Sequence, residues 1–219
     1  MKSTDRGSLC VGVSGSAGSG KSTLCRLWTG RGAGCLDADA VGQALLRAGS
    51  PVFARLVEAF GRDALGPDGD FDRRRLGARV FADRMELQKL NSLVHPPLIA
   101  ELHRRLEAFR AAPGPSRVLI LDAALLAEWG DATLYDRLVV VTAPRAAKLE
   151  RLRAQRGLDE AAAAARLDAQ MPDAGRVKLA DHVVVNDGDL VRLEREAARL
   201  WDEWQGWLAR GGLPEGRGN

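Results

Sequence analysis

The stretch Gly15-Ser16-Ala17-Gly18-Ser19-Gly20-Lys21-Ser22 constrains this chain more than any other. It satisfies the spacing G-x-x-x-x-G-K-[ST]. An apolar run, Leu9-Cys10-Val11-Gly12-Val13, precedes it, and a helical pattern carrying Leu24, Leu27 and Trp28 follows. In a chain with 24 glycines, a glycine run alone reads as flexible loop. A run between a strand and a helix, ending in Lys21-Ser22-Thr23, has a more specific reading. Small residues let the backbone turn tightly, so that its N–H groups surround a phosphate chain, and the helix starting at the loop's end adds its positive dipole end. In this pattern Lys21 reaches the β- and γ-phosphates, and the Ser22 hydroxyl binds Mg²⁺. Gly15, Gly18, Ser19, Gly20, Lys21, Ser22 and Thr23 are therefore the expected nucleoside-triphosphate-binding residues.

The rest of the chain fits one class. Gly34–Asp37, Arg117–Asp122, Leu138–Thr142 and His182–Asn186 read as further strands. Most are apolar throughout rather than alternating, as in strands covered on both faces. Helical patterns separate them, which gives an α/β fold with a five-stranded parallel sheet. Between the second and third strands lies a long region of helical pattern: Ala40–Ala48, a helix opening at Pro51 and ending at Phe60-Gly61, and one capped by Asp72 with Leu76, Val80 and Phe81. Met85–Val94 and Leu98–Phe109 read as helices broken or kinked at Pro96-Pro97. The last helix, about 190–208, carries Leu193, Ala197, Leu200, Trp201, Trp204 and Leu208 on one stripe. That stripe reads as packing on the sheet, and 211–219 as a frayed tail.

Composition excludes several classes. The 219 residues suit one domain of medium size, and no apolar run approaches the roughly 20 residues of a membrane span. The polar start, Met1 to Ser8, is too short before the first strand for a secretion signal, so a cytoplasmic place is expected. Cys10, Cys25 and Cys35 lack metal-ligand spacing and read as buried or partly buried reduced thiols. A net charge of +3 favours anionic ligands weakly, and 29 acidic against 32 basic residues give no ground for a nucleic-acid partner.

Acids stand where such a fold needs them. Asp37-Ala38-Asp39 follows the second strand, at the carboxyl end that lines the ligand crevice of a parallel sheet. Asp39 is read as facing the hydroxyl that attacks the γ-phosphate, against the plainer reading of a helix cap. Asp122 ends the third strand after four apolar residues, the pattern of an acid that holds Mg²⁺, with an ordinary strand-end aspartate weighed equally. After the fourth strand come Arg145, Lys148, Arg151, Arg153 and Arg156, then Arg166, Arg176 and Lys178. A helical pair this basic suits a lid over phosphates, and Arg151 is the arginine favoured to stabilise charge on the transferring group. A lone histidine at a helix break, His95, reads as structural.

With these pieces in place the chain resembles the dephospho-coenzyme A kinase family, over about Leu9 to Trp204. The resemblance rests on Val13–Thr23, Leu36–Asp39, Gly49-Ser50-Pro51, Phe60-Gly61, Asp68-Gly69 and Asp72-Arg73 with Leu76. It continues through Val80-Phe81, Leu90-Asn91-Ser92-Leu93-Val94-His95-Pro96, Asp122–Glu128 and Ala180–Gly188. It implies a P-loop NTPase core (8–41 and 113–210), an inserted helical substrate domain (42–112) and a helical lid (145–178). It further implies transfer of the ATP γ-phosphoryl group, with Mg²⁺, to the ribose 3′-hydroxyl of dephospho-coenzyme A. By the same resemblance Asp39, Lys21 and Arg151 are catalytic, Asp39, Arg73 and His95 bind substrate, and Ser22 and Asp122 hold the metal. The implied protein is a monomer or weak oligomer with no nucleic-acid or membrane partner. Two departures stand out. The family usually has Gly-Gly-Ile-Gly at Gly15-Ser16-Ala17-Gly18, and Asp-Val-Pro-Leu-Leu at Asp122-Ala123-Ala124-Leu125-Leu126. Losing that proline removes a rigid turn near the acceptor.

Competing readings are another small-molecule or nucleotide kinase on the same core and a non-catalytic nucleotide-binding module. No N-K-x-D element is present, and Asp63-Ala64-Leu65-Gly66 lies among turn residues, which disfavours a GTPase.

Overall fold

A computed structural model describes residues 7–213, apart from the side chains of Arg73, Phe81, Gln155 and Arg156. Strands β1 (Leu9–Ser14), β2 (Gly34–Asp37), β3 (Val118–Asp122), β4 (Arg137–Thr142) and β5 (His182–Val185) form one sheet in the order β2-β3-β1-β4-β5. The pairings of β1 with β3, β1 with β4 and β4 with β5 are parallel. The apolar runs therefore read correctly as strands, and the most buried of them, β1, lies at the centre.

Parallel neighbours require crossovers, and helices supply them. Helix α1 (Lys21–Thr29) and the last helix α10 (Leu190–Ala209) cover one face of the sheet. There Val11, Val13, Ile120, Val139, Val141 and Val184 meet Leu24, Trp28, Leu200 and Trp204. The rings of Trp28 and Trp204 lie 4.8 Å apart, and Trp28 Nε1 donates to Ala197 O at 2.9 Å, which satisfies a polar group in a fully buried place. On the opposite face, Leu126 of α6 (Leu126–Trp129) and Tyr135 close on Gly12. A Cβ there would lie 2.4 Å from Leu126 Cδ2 and 3.0 Å from Tyr135 Cδ1, so any side chain at Gly12 would push these neighbours aside. The short α6 carries too few residues for a periodic signal and was not legible in the sequence.

Compact units divide the chain into a sheet unit, up to Leu36 and from Ala108 onward, and a helical unit, Asp37–Glu107. The helical unit holds α2 (Ala38–Leu45), α3 (Phe53–Phe60), a 3₁₀ turn at Arg62–Ala64, α4 (Arg73–Ala82) and most of α5 (Arg84–Ala111). It buries Val41, Leu45, Leu56, Phe60, Leu76, Val80 and Leu102. Asp72 caps α4 by accepting from Arg74 N and Arg75 N.

Several expectations need correction. Pro96 and Pro97 lie inside one helix of 28 residues, α5, instead of separating two. Proline removes a backbone donor but leaves its own φ helical, and a long helix with buried Leu98, Leu102 and Leu106 absorbs the missing bonds. The stripe on α10 packs on the core as expected, with Trp201 half-buried against it, and Trp207 extends it beside His182 and Arg137. Cys10 and Cys25 are buried, but Cys35 is exposed. The expected pair of basic helices is three: α7 (Arg145–Arg156), α8 (Glu160–Asp168) and α9 (Asp173–Leu179). Of the expected frayed tail, Leu213 packs on the core and 214–219 lie outside the described residues.

Candidate active site

The loop between β1 and α1 is built by its glycines. Gly20 is the N-cap of α1 at φ +98°, a left-handed conformation costly to any side chain, and Gly18 sits at φ +75°. The first N–H groups of a helix have no partner within it, so α1 begins with donors aimed at the loop. A Ser16–Ser19 turn, Ser19 N to Ser16 O 3.0 Å, closes the loop's middle.

Register places the acid. Val13 of β1 pairs with Asp122 of β3, so Asp122 ends its strand beside the root of the loop. Its carboxylate accepts from Lys21 Nζ, and each side chain keeps about 15% of its surface exposed. Lysine and acid, from the two sides of a glycine loop, thus meet at the carboxyl end of the sheet. Cys25 lies one turn further along α1. Burial pushes its thiol up, helped by the charge of Asp122, which leaves it protonated and inert. Beyond β3, Ala124 stands where a proline would stiffen the turn. Here Leu126 N donates to Ala123 O at 3.2 Å, and Ser14 Oγ donates to Ala124 O at 2.9 Å, so hydrogen bonds hold the turn instead.

Helices α7 and α9 reach the loop through side chains. Arg151 Nη1 donates to Gly18 O at 3.0 Å and to Ser19 O at 3.4 Å, and its Nη2 donates to Asn186 Oδ1 at 3.2 Å. The sequence singled out Arg151, and the structure brings it to the loop through backbone carbonyls. Lys148, 8% exposed, donates to Asp173 Oδ2 at 2.7 Å and to Ser16 Oγ at 3.1 Å. Ser16 Oγ in turn donates to Asp173 Oδ1 at 3.0 Å, and Ala17 N donates to Gln170 Oε1 at 2.9 Å. Arg176, fully buried, pairs with Glu128 and anchors α9 to α6. A cavity of about 410 Å³ is lined by Ser16, Lys148, Gln170 and Asp173 among others, and by neither Lys21 nor Asp122.

Three further sequence candidates belong to the helical unit. Asp37, not Asp39, caps α2, its Oδ1 accepting from Ala40 N at 3.0 Å, and Asp39 sits exposed in the first turn. Arg73 opens α4. His95 is half-buried within α5, before Pro96. Asn186, Asp173 and Gln170 were missed as loop partners. Each is an ordinary polar residue distant in sequence from the loop, and only the fold joins them.

The dephospho-CoA kinase family model matches residues 9–192. This chain belongs to the dephospho-CoA kinase family. A dephospho-CoA kinase of Streptomyces avermitilis is 45% identical over 193 residues, 88% of this chain and 92% of that one. One of Corynebacterium diphtheriae is 40% identical over 194 residues, 89% of this chain and 96% of its own. The crystal structure of TT1252 from Thermus thermophilus superposes with a TM-score of 0.73 at 32% identity, covering 90% of this chain and 97% of that one. Ser16 stands where the resemblance leads to an expectation of glycine, and its side chain has a visible consequence. Its hydroxyl is the atom that Lys148 and Asp173 grip, and a glycine has none to offer.

Proposed function

We propose that the loop of Gly15–Thr23 holds ATP and that its γ-phosphoryl group passes to the ribose 3′-hydroxyl of dephospho-coenzyme A, the last step of coenzyme A synthesis. The observation that carries this reading is the meeting of Lys21 and Asp122 at the loop's root. Phosphoryl transfer asks little covalent chemistry of a protein. It asks for positioning and for positive charge around the transferring oxygens. Backbone donors from Gly18, Gly20 and the start of α1 bind the phosphate chain. Lys21 adds a point charge that moves between Asp122 and the β- and γ-phosphates. Arg151 keeps a second positive charge at the loop's edge, set in place by Gly18 O and Ser19 O.

Ser22 and Asp122 offer a hydroxyl and a carboxylate, both hard oxygen donors of the kind Mg²⁺ takes, and Mg²⁺ in kinase sites needs only one or two protein oxygens beside phosphates and water. When bound, the metal neutralises charge on the phosphates. Asp39 is the residue that orients the 3′-hydroxyl and accepts its proton, and Arg73 and His95 bind the acceptor. Residues 42–112 serve as the substrate domain and 145–178 as the lid. Among the described residues no helix is long and apolar enough to cross a membrane. The reading is completed by a cytoplasmic monomer or weak oligomer that binds neither nucleic acid nor membrane.

Lys21→Ala tests the loop's role. Transfer is expected to be abolished while the circular-dichroism spectrum and melting temperature stay near those of the parent. Near-normal turnover in a folded variant would remove the phosphate cradle from the mechanism.

A further inference from the structure

The peptide joining Ser19 to Gly20 turns the loop into α1. Its carbonyl accepts from Asn186 Nδ2 at 2.8 Å and from Arg151 Nη1 at 3.4 Å. A trans peptide points its N–H away from its C=O. Whatever holds the Ser19 carbonyl therefore aims the Gly20 N–H.

Asn186 is built to hold it. The residue follows β5, is 7% exposed, and fixes its own backbone by donating to Thr142 O at 2.8 Å. Its Oδ1 accepts from Arg151 Nη2 at 3.2 Å, and its backbone carbonyl accepts from the same nitrogen at 3.3 Å. A guanidinium only donates and a peptide carbonyl only accepts, so these two neighbours settle which way the carboxamide faces. Gly20 leaves the space for it, since a Cβ there would lie 2.0 Å from Asn186 Nδ2. The absent side chain at Gly20 and the carboxamide of Asn186 are thus two halves of one fit, though 166 positions separate them in the sequence.

We propose that Asn186 is a positioning residue for ATP: its carboxamide, oriented by Arg151, fixes the Ser19–Gly20 peptide so that the Gly20 N–H faces the phosphate chain. This inference rests on the reading of Gly15–Thr23 as the ATP cradle. Asn186 touches no reacting atom; it acts through the loop.

Asn186→Asp is the gentle test. It keeps the shape and the acceptor for Arg151 but sets an oxygen, in place of a donor, against the Ser19 carbonyl. Asn186→Ala is the severe one. ATP affinity is read by calorimetry without acceptor, alongside KM for each substrate, kcat and melting temperature. The expected result is ATP affinity weakened roughly 5- to 100-fold in both variants, the scale of a lost buried hydrogen bond. The KM for dephospho-coenzyme A should stay within about twofold. ATP affinity within twofold of the parent in Asn186→Asp overturns the proposal, whether or not Asn186→Ala folds. So does an equal loss for both substrates together with a lowered melting temperature, which marks a merely structural residue. A parent protein that binds no ATP overturns the cradle itself, and this inference falls with it.

Discussion

Gly18→Ala puts the loop's construction to a quantitative test. Gly18 lies at φ +75°, and a Cβ there would stand 2.7 Å from Lys148 O and 3.1 Å from Lys148 Cα. Both atoms belong to the backbone of α7, which cannot swing aside as a side chain would. The left-handed conformation costs an L-residue about 1–2 kcal/mol. Overpacking against a fixed neighbour adds about 1–3 kcal/mol. Gly130 separates the two costs, because it sits at φ +69° with nothing within 4 Å of its would-be Cβ. Gly130→Ala is therefore expected to lose only about 1–2 kcal/mol in urea unfolding, with ATP affinity unchanged. Gly18→Ala has two ways to relax. If the loop stays, unfolding free energy falls by about 2–5 kcal/mol in total. If the loop lifts from α7, the steric part appears instead as ATP affinity weakened roughly 5- to 150-fold. Urea titration and calorimetry on the same samples read both. A Gly18→Ala protein that matches Gly130→Ala in stability and the parent in ATP affinity would refute the close approach of loop and helix.

Asp39→Asn keeps shape and loses charge; kcat is expected to fall by roughly 10²–10⁴, the range of a general base, with the KM for ATP little changed in steady-state assays. A variant that keeps most of its kcat would make Asp39 a substrate clamp. Glu101 is held down at about 2 from 4.5 by hydrogen bonds from Arg104 and then Arg105. A depressed carboxyl lends stability above its unfolded pKa and loses it as pH falls, so the stability difference between the parent and Glu101→Gln should be full above about pH 4.5 and shrink as pH falls towards about 2. Denaturant midpoints across that window check it, and a difference independent of pH would contradict the pairing.

Much of this protein is legible in its sequence because the informative residues are close together. The loop of Gly15–Thr23 is one continuous stretch whose glycines report backbone shape directly, and the apolar runs of β1, β3 and β4 report burial on both faces. What stayed hidden is what depends on distant partners. Asn186 looks like any polar residue at a strand end until the fold brings it to Ser19 O. Ser16 looks like a neutral replacement for glycine until Lys148 and Asp173 meet its hydroxyl. Proline misled at Pro96-Pro97 because its local penalty was overridden by packing along α5, and Asp37 rather than Asp39 proved to be the cap because a shift of two positions decides which acid reaches the helix amides.

The most direct test of the whole account is the reaction itself: purified protein, ATP, Mg²⁺ and dephospho-coenzyme A, with the product's phosphate mapped on the ribose. The account predicts stoichiometric ADP and phosphate found at the 3′ position, lost in Lys21→Ala. ATP turnover without a 3′-phosphate, or preference for a different acceptor in a substrate panel, would contradict it.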